Sequence, residues 1–215
     1  MHPAKQWHLE ALGKAAVAAL KRNGFDAHYT ENSETARRAV LSMIPAGASI
    51  GFGNSVTLDE TGILDLLRSG GYRLINPLWV EATMGRDERL PARRQAMTAD
   101  VFLSGANAVT LDGKLVSTDA TGNRVAGMIF GPKKTILVVG ANKIVATVDD
   151  ALDRVTNVAA PANARRLGYD TPCANTGICT DCRSPQRICN VTVILHRKPS
   201  ALDLTVVVIG EELGL

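Results

Sequence analysis

The sequence predicts an α/β fold: a mostly parallel sheet with helices on both faces. Three observations carry that expectation. Amphipathic helical stretches alternate along the chain with short apolar runs of strand length, the pattern of a sheet covered by helices. The run Thr135–Val139 is apolar at nearly every position, as in a parallel strand buried on both faces. Two glycine-containing turns, Gly51-Phe52-Gly53-Asn54-Ser55 and Ser104-Gly105-Ala106-Asn107, each follow an expected strand. In a parallel sheet both would open on the same rim. A length of 215 residues suits one domain spanning 1–215, with a cysteine-rich loop, 171–190, inserted within it.

The elements follow in order. Between Lys5 and Asn23, Trp7, Leu12, Ala15, Ala16, Ala19 and Leu20 recur at helical spacing, and Gly24 closes the helix. Phe25–Tyr29 is a short strand. Asn32 or Ser33 caps a second helix, with Ala36, Val40, Leu41 and Ile44 inward. Ser49-Ile50 ends a buried strand, Gly51 and Gly53 make the turn, and a helix runs from there to Leu67. Tyr72–Ile75 is a strand broken at Asn76-Pro77, and 78–84 carries no clear pattern. Gly85–Ala99 is a polar helix whose Arg86, Arg89, Arg93 and Arg94 form a solvated charged face. Asp100–Ser104 is a strand, and Ala108–Val116 a hairpin turning at Asp112-Gly113. Val125–Phe130 is a small-residue helix ahead of the strand at Thr135. Asp149–Ala159 and Ala162–Leu167 are helices, and Val191–Leu195 and Leu204–Ile209 the last strands.

Composition excludes several function classes. The net charge is +3 and no basic run exceeds two residues, while aromatic residues make up only 4%. Neither an electrostatic footprint nor a stacking surface for nucleic acid is present. No apolar run reaches membrane-spanning length, and the first residues carry no signal-like apolar core. The expected location is the cytoplasm, where thiols stay reduced and clustered cysteines are ligands more often than disulfides.

The chemistry on offer falls into two groups. The first is a small-anion cleft. A strand-to-helix turn leaves backbone N–H groups free, which favours a carboxylate or phosphate. The candidate ligand-binding residues are Gly51, Gly53, Asn54 and Ser55 at one turn and Ser104, Gly105 and Asn107 at the other. Asn123 and Arg124, which precede a helix, and Lys143, which follows a buried strand, join them. Arg124 offers a fork that matches two oxygens, and Lys143 a point charge. A surface ion pair for Arg124 and an exposed loop position for Lys143 are the plain alternatives. The second group is Cys173, Cys179, Cys182 and Cys189, spaced C-x5-C-x2-C-x6-C, which are all the cysteines of the chain. A C-x2-C core lets two thiolates reach one metal, and the flanking pair completes a set of four. Four thiolates suit zinc or an iron–sulfur cluster, and the spacing does not separate them; four reduced cysteines in a turn-rich loop without a metal is the plain alternative. The four histidines show no ligand or triad spacing.

Several segments together resemble a known family. They are Gly51-Phe52-Gly53-Asn54-Ser55, Asp100 through Ala108, Asp119-Ala120-Thr121-Gly122-Asn123-Arg124-Val125, and Val138 through Val145. Their succession, from about Ala11 to Leu213, resembles the lactate-utilisation (LUD) domain family in its short, cysteine-bearing branch. The resemblance implies a fold similar to ribose-5-phosphate isomerase, glucosamine-6-phosphate deaminase and the CoA transferases. Ser104-Gly105-Ala106-Asn107 stands where those isomerases carry Asp-Gly-Ala-Asp, so both acids are missing and a base for proton abstraction with them. The resemblance further implies an oxidoreductase component in the oxidation of L-lactate to pyruvate, beside partner subunits that carry iron–sulfur clusters. That context favours an iron–sulfur cluster over zinc at the cysteines. Lactate, a phosphate ester or a CoA ester is the expected anion. Two other readings stay open: a sugar-phosphate or CoA-ester enzyme of the same superfamily, and a non-catalytic regulatory binder with structural zinc.

Overall fold

A computed structural model describes residues 2–76 and 83–215. Pro77 and the unassigned stretch through 82 lie outside the described residues. The chain opens with helix α1 (Pro3–Arg22), strand β1 (Asp26–Thr30), helix α2 (Ser33–Ser42) and strand β2 (Ser49–Gly53). Helices α3 (Val56–Glu60) and α4 (Ile63–Ser69), strand β3 (Arg73–Leu74) and helix α5 (Arg86–Ala96) follow. Then come β4 (Val101–Ser104), β5 (Ala108–Thr110), β6 (Leu115–Asp119), helix α6 (Asn123–Ile129) and β7 (Lys134–Gly140). A 3-10 turn (Ala141–Lys143), β8 (Ile144–Val145), helix α7 (Val148–Arg154), a π segment (Val155–Ala159) and helix α8 (Ala160–Arg166) lead to the cysteine loop. That loop holds a short helix, α9 (Pro172–Thr176), and the chain returns through β9 (Val191–Leu195) and β10 (Asp203–Ile209).

Six strands form one parallel sheet in the order β1-β10-β7-β4-β2-β3. Its central strands alternate between two cores. Leu204, Val206 and Val208 of β10 with Leu137 and Val139 of β7 face one side, together with Ala16, Val17 and Leu20 of α1. Val207, Ile209, Ile136 and Val138 face the other, against Ala36 and Val40 of α2, Leu58 of α3, and Ile63 and Leu67 of α4. This is the period of two expected of strands buried on both faces.

The expectation of a single sheet needs one amendment. The hairpin β5–β6 leaves the parallel sheet and forms a second, four-stranded one in the order β8-β5-β6-β9. Val109, Leu115 and Leu195 of that sheet pack into the core beneath α1, so sheet packs on sheet there. Strand β9 supplies its edge from 72 or more residues beyond β6, a pairing that local pattern does not encode.

Two other departures have local causes. The helix expected from the first turn to Leu67 is split, because Gly62 takes a left-handed φ of +70° and starts α4 anew. The helices on either side of Pro161 are one continuous helical run. Pro161 has no N–H to donate and crowds the carbonyl four residues back, and the π segment immediately before α8 absorbs that mismatch.

Candidate functional site

The expected anion cleft begins at the carboxyl ends of β2, β4 and β7, which are parallel neighbours. The first glycine pair is not a turn, contrary to the sequence reading. Gly51 and Gly53 both lie within β2, and the chain leaves the strand at Asn54. The glycines are required by close packing instead. A Cβ on Gly51 would lie 2.6 Å from the Ala96 carbonyl of α5; one on Gly53 would lie 2.7 Å from Ser104 Oγ and 2.9 Å from Arg124 Cγ. Gly53 lines the cleft, and Gly51 lies beneath it. Ser55 caps α3, its Oγ accepting from Leu58 N–H at 3.4 Å.

Ser104 is withdrawn as well. Fully buried, its hydroxyl donates to the Gly53 carbonyl at 2.9 Å, tying β4 to β2. Asn107 is the hub of the rim. Its Oδ1 accepts from Thr118 N–H at 2.8 Å and from Arg124 Nη2 at 2.9 Å. Its own carbonyl accepts from Arg154 Nη1 at 2.8 Å. Arg124 Nη2 also donates to the Thr118 carbonyl, and the Arg124 N–H donates to Asp119 Oδ2 at 3.0 Å. Arg124 Nε is buried with no partner among the described residues. Burial works against its charge, and Asp119 supports it. The guanidinium is thus fixed on one edge.

Two cavities share this wall. The larger, about 140 Å³, is lined by Gly53, Asn54, Asn107, Asn123 and Arg124, and across from them by Val155, Asn163 and Arg166. The smaller, about 40 Å³, is lined by Asn54, Ser55, Gly105, Asn107, Arg124 and Lys143. Eight of the ten residues expected from sequence therefore border one recess, and Gly51 and Ser104 support it from behind. Arg93, placed on a solvated face by sequence, reaches the same recess, with Nη1 3.0 Å from Thr121 Oγ1.

Lys143 departs furthest from its expected character. Only 4% exposed, it is no loop cation. Its Nζ donates to Thr57 Oγ1 at 2.8 Å. Burial, with Arg154 and Arg124 close by, lowers its pKa to about 7. Sequence reasoning missed Arg154, Asn163 and Arg166. They come from the helical run 148–166, whose pattern gave a helix but no hint of what it faces. The π segment offered no sequence signal apart from Pro161.

The cysteine loop adjoins this recess. Cys173, Cys179, Cys182 and Cys189 all line one cavity of about 280 Å³, with Arg187, Thr118 and Thr192. The thiols are unpaired. Asp181, between Cys179 and Cys182, has a left-handed φ of 47°, rare outside glycine. The Asp181 N–H donates toward Cys179 Sγ, 3.4 Å away. Burial pushes the Cys189 thiol up, Arg187 opposes it, and Cys179 and Cys182 add to it. Among the described residues, no three His, Cys, Asp or Glu side chains are gathered as ligands of a single ion. Cys189, Thr118, Val155 and Ala160 line both the cysteine cavity and the larger cleft.

No helix among the described residues is long and apolar enough to cross a membrane. No curated protein matches the chain. A crystal structure of a DUF162 family protein from Deinococcus radiodurans superimposes with a TM-score of 0.50. The alignment has 14% identity and covers 95% of this chain and 98% of that one, a likeness of fold. The six-stranded sheet and its flanking helices thus have a solved counterpart, and the LUD domain model matches residues 13–209, so the chain belongs to the LUD domain family.

Proposed function

We propose that this LUD-domain chain, read as one unit over 1–215, serves the oxidation of L-lactate or a closely related organic acid in a reducing cytoplasm. The substrate carboxylate binds in the cationic recess, and the four cysteines hold an iron–sulfur centre. The observation that carries this reading is the shared wall, with Cys189 bordering both the recess and the cysteine cavity.

The donor set fits such a centre. Four thiols surround one chamber, and a backbone N–H already points at Cys179 Sγ, a contact that stabilises a thiolate. Four thiolates suit zinc or an iron–sulfur cluster, and the lactate-utilisation context favours the cluster. Zinc remains the alternative occupant. Held by Cys173, Cys179, Cys182 and Cys189, an iron–sulfur centre would supply an acceptor for single electrons, which a partner subunit would carry onward.

The chain's own residues position the acid. Arg124 is held by Asn107, the Thr118 carbonyl and Asp119 and lines the recess, where its charge attracts a carboxylate. Arg166 and Asn163 close the opposite side. A sugar-phosphate isomerase reading is less favoured, since Asn107 and Ser104 occupy the rim positions where an acid would serve as base. The test is spectroscopic. In anaerobically purified protein, L-lactate should perturb the visible absorption, lactamide should not, and Arg124→Ala should abolish the response. Equal affinity for lactate and lactamide, unaffected by salt, would contradict a charged recess.

A further inference from the structure

Lys143 is a buried amine with an unusual neighbourhood. Lysines are almost never fully buried unless paired with an acid. Among the described residues Lys143 forms no ion pair, and its one hydrogen-bond partner is a neutral hydroxyl, Thr57 Oγ1. Glu60, an opposing charge that acts on it, is engaged by the Gly214 N–H at 2.6 Å and is the weakest of the influences on the amine. The stronger influences are burial and the two cations Arg154 and Arg124. All of them favour the neutral form. A lysine placed to offer fixed positive charge would be arranged in the opposite way. Desolvation beside another cation is how proteins make a lysine nucleophilic.

The geometry around it names a ligand class. Lys143 and Arg124 line the same small cavity, which continues into the larger recess through Asn54, Asn107, Arg124, Ala159, Asn163 and Arg166. Ala106, Val56 and Ala159 give the cavity apolar walls. A molecule with its carboxylate on Arg124 would present its adjacent carbon toward the amine.

We propose that Lys143 is a nucleophile that forms an imine with a small α-keto acid whose carboxylate is held by Arg124. The inference rests on the anion-cleft reading. The Nζ lone pair attacks the carbonyl carbon, and the carbonyl oxygen takes up a proton to give a carbinolamine. Loss of water then leaves the C=N bond. Both hydrogens of the amine depart in that water, and no electrons are exchanged with any other group. Keto acids are also the products of 2-hydroxy-acid oxidation, so the amine stands where such a product would form.

The experiment is reductive trapping on the full-length protein. Pyruvate is added with sodium cyanoborohydride at neutral pH, and the adduct is located by peptide mass mapping. L-Lactate, which has a carboxylate but no carbonyl, serves as competitor, and its own binding is measured by titration. A single reduced adduct at Lys143 is expected, suppressed by lactate. It should form on the order of a hundredfold faster than at surface lysines, whose amines are almost wholly protonated at neutral pH. Lys143→Met should remove the adduct, and Arg124→Ala should slow it while Lys143 remains. Lactate binding with no adduct at Lys143, or with adducts spread evenly over surface lysines, would overturn the imine alone. Absence of lactate binding would overturn the cleft reading together with it.

Discussion

At the rim of the parallel sheet Ser104, Gly105, Ala106 and Lys143 are all buried, whereas between Thr171 and Asn190 only Thr171 and Ala174 are. The rim is held by packing. Strands β2, β4 and β7 fix it from below, and Asn107, Thr118 and Arg124 are joined by hydrogen bonds that leave little freedom. The cysteine loop has almost no core of its own. Its ties are polar and few: Arg187 to Asp181 at 2.7 Å, Ser184 Oγ to the Asp170 carbonyl at 2.8 Å, and Asn190 N–H to the Asp119 carbonyl at 3.1 Å. Exposed ion pairs of this kind contribute little. A segment without a core is held by a cross-link or a metal when it is held at all. The rim is thus fixed by its own packing, and on the proposed reading the loop depends on what its thiols would bind.

The contrast can be broken from the rim side first. Lys143→Met should give the largest effect. The unfolded chain holds the lysine proton to about pH 10.5, the folded chain only to about 7, so the unfolded state binds more protons between those values. Stability should rise with pH across that window, and below it the folded protein carries the whole cost of a buried cation. Methionine removes the charge at nearly equal volume. The variant should be more stable at pH 7, by up to about 4 kcal/mol, and should lose the pH slope between 7 and 10.5. Urea unfolding at several pH values measures both. An unchanged slope would mean that the amine is not buried as described.

Gly53→Val should come next, with the opposite sign. The added Cβ meets Ser104 Oγ, Arg124 Cγ and Phe102 Cζ within 2.9 Å. Overpacking of that kind costs about 1–3 kcal/mol. It also displaces Arg124, so lactate affinity should fall along with the unfolding midpoint. A variant with full stability and full affinity would show that the rim is looser than its packing indicates.

Cys182→Ser should have the smallest global effect and the most local one. The core midpoint should move by no more than about 0.5 kcal/mol. Limited proteolysis between 171 and 190 should accelerate, because one of the four thiols proposed to hold a centre has been removed. Global unfolding of this variant would show that the loop is integral to the core.

The same contrast explains what could be read from the sequence. The parallel strands, the shared rim and eight cleft residues were legible, because apolar runs followed by small polar turns are local signals. Gly51 and Gly53 were misplaced, since a glycine that makes room for Ala96 or Phe102 looks the same as one that turns the chain. The burial of Lys143 was hidden because its cover comes from Thr57 and Gly214, both distant in sequence. The second sheet was hidden for a like reason, since β9 pairs with β6 across the whole helical run and the loop. The cysteine cluster was plain from spacing, but its meeting with the cleft at Cys189 required the fold.

The claim that the four thiols hold an iron–sulfur centre is tested most directly by chemical analysis. Iron, acid-labile sulfide and zinc should be counted per chain in full-length protein purified without oxygen, beside Cys182→Ser. Iron and sulfide together in the wild type, sharply reduced in the variant, are the predicted result. A metal-free wild-type protein, or one zinc per chain without sulfide, would contradict it.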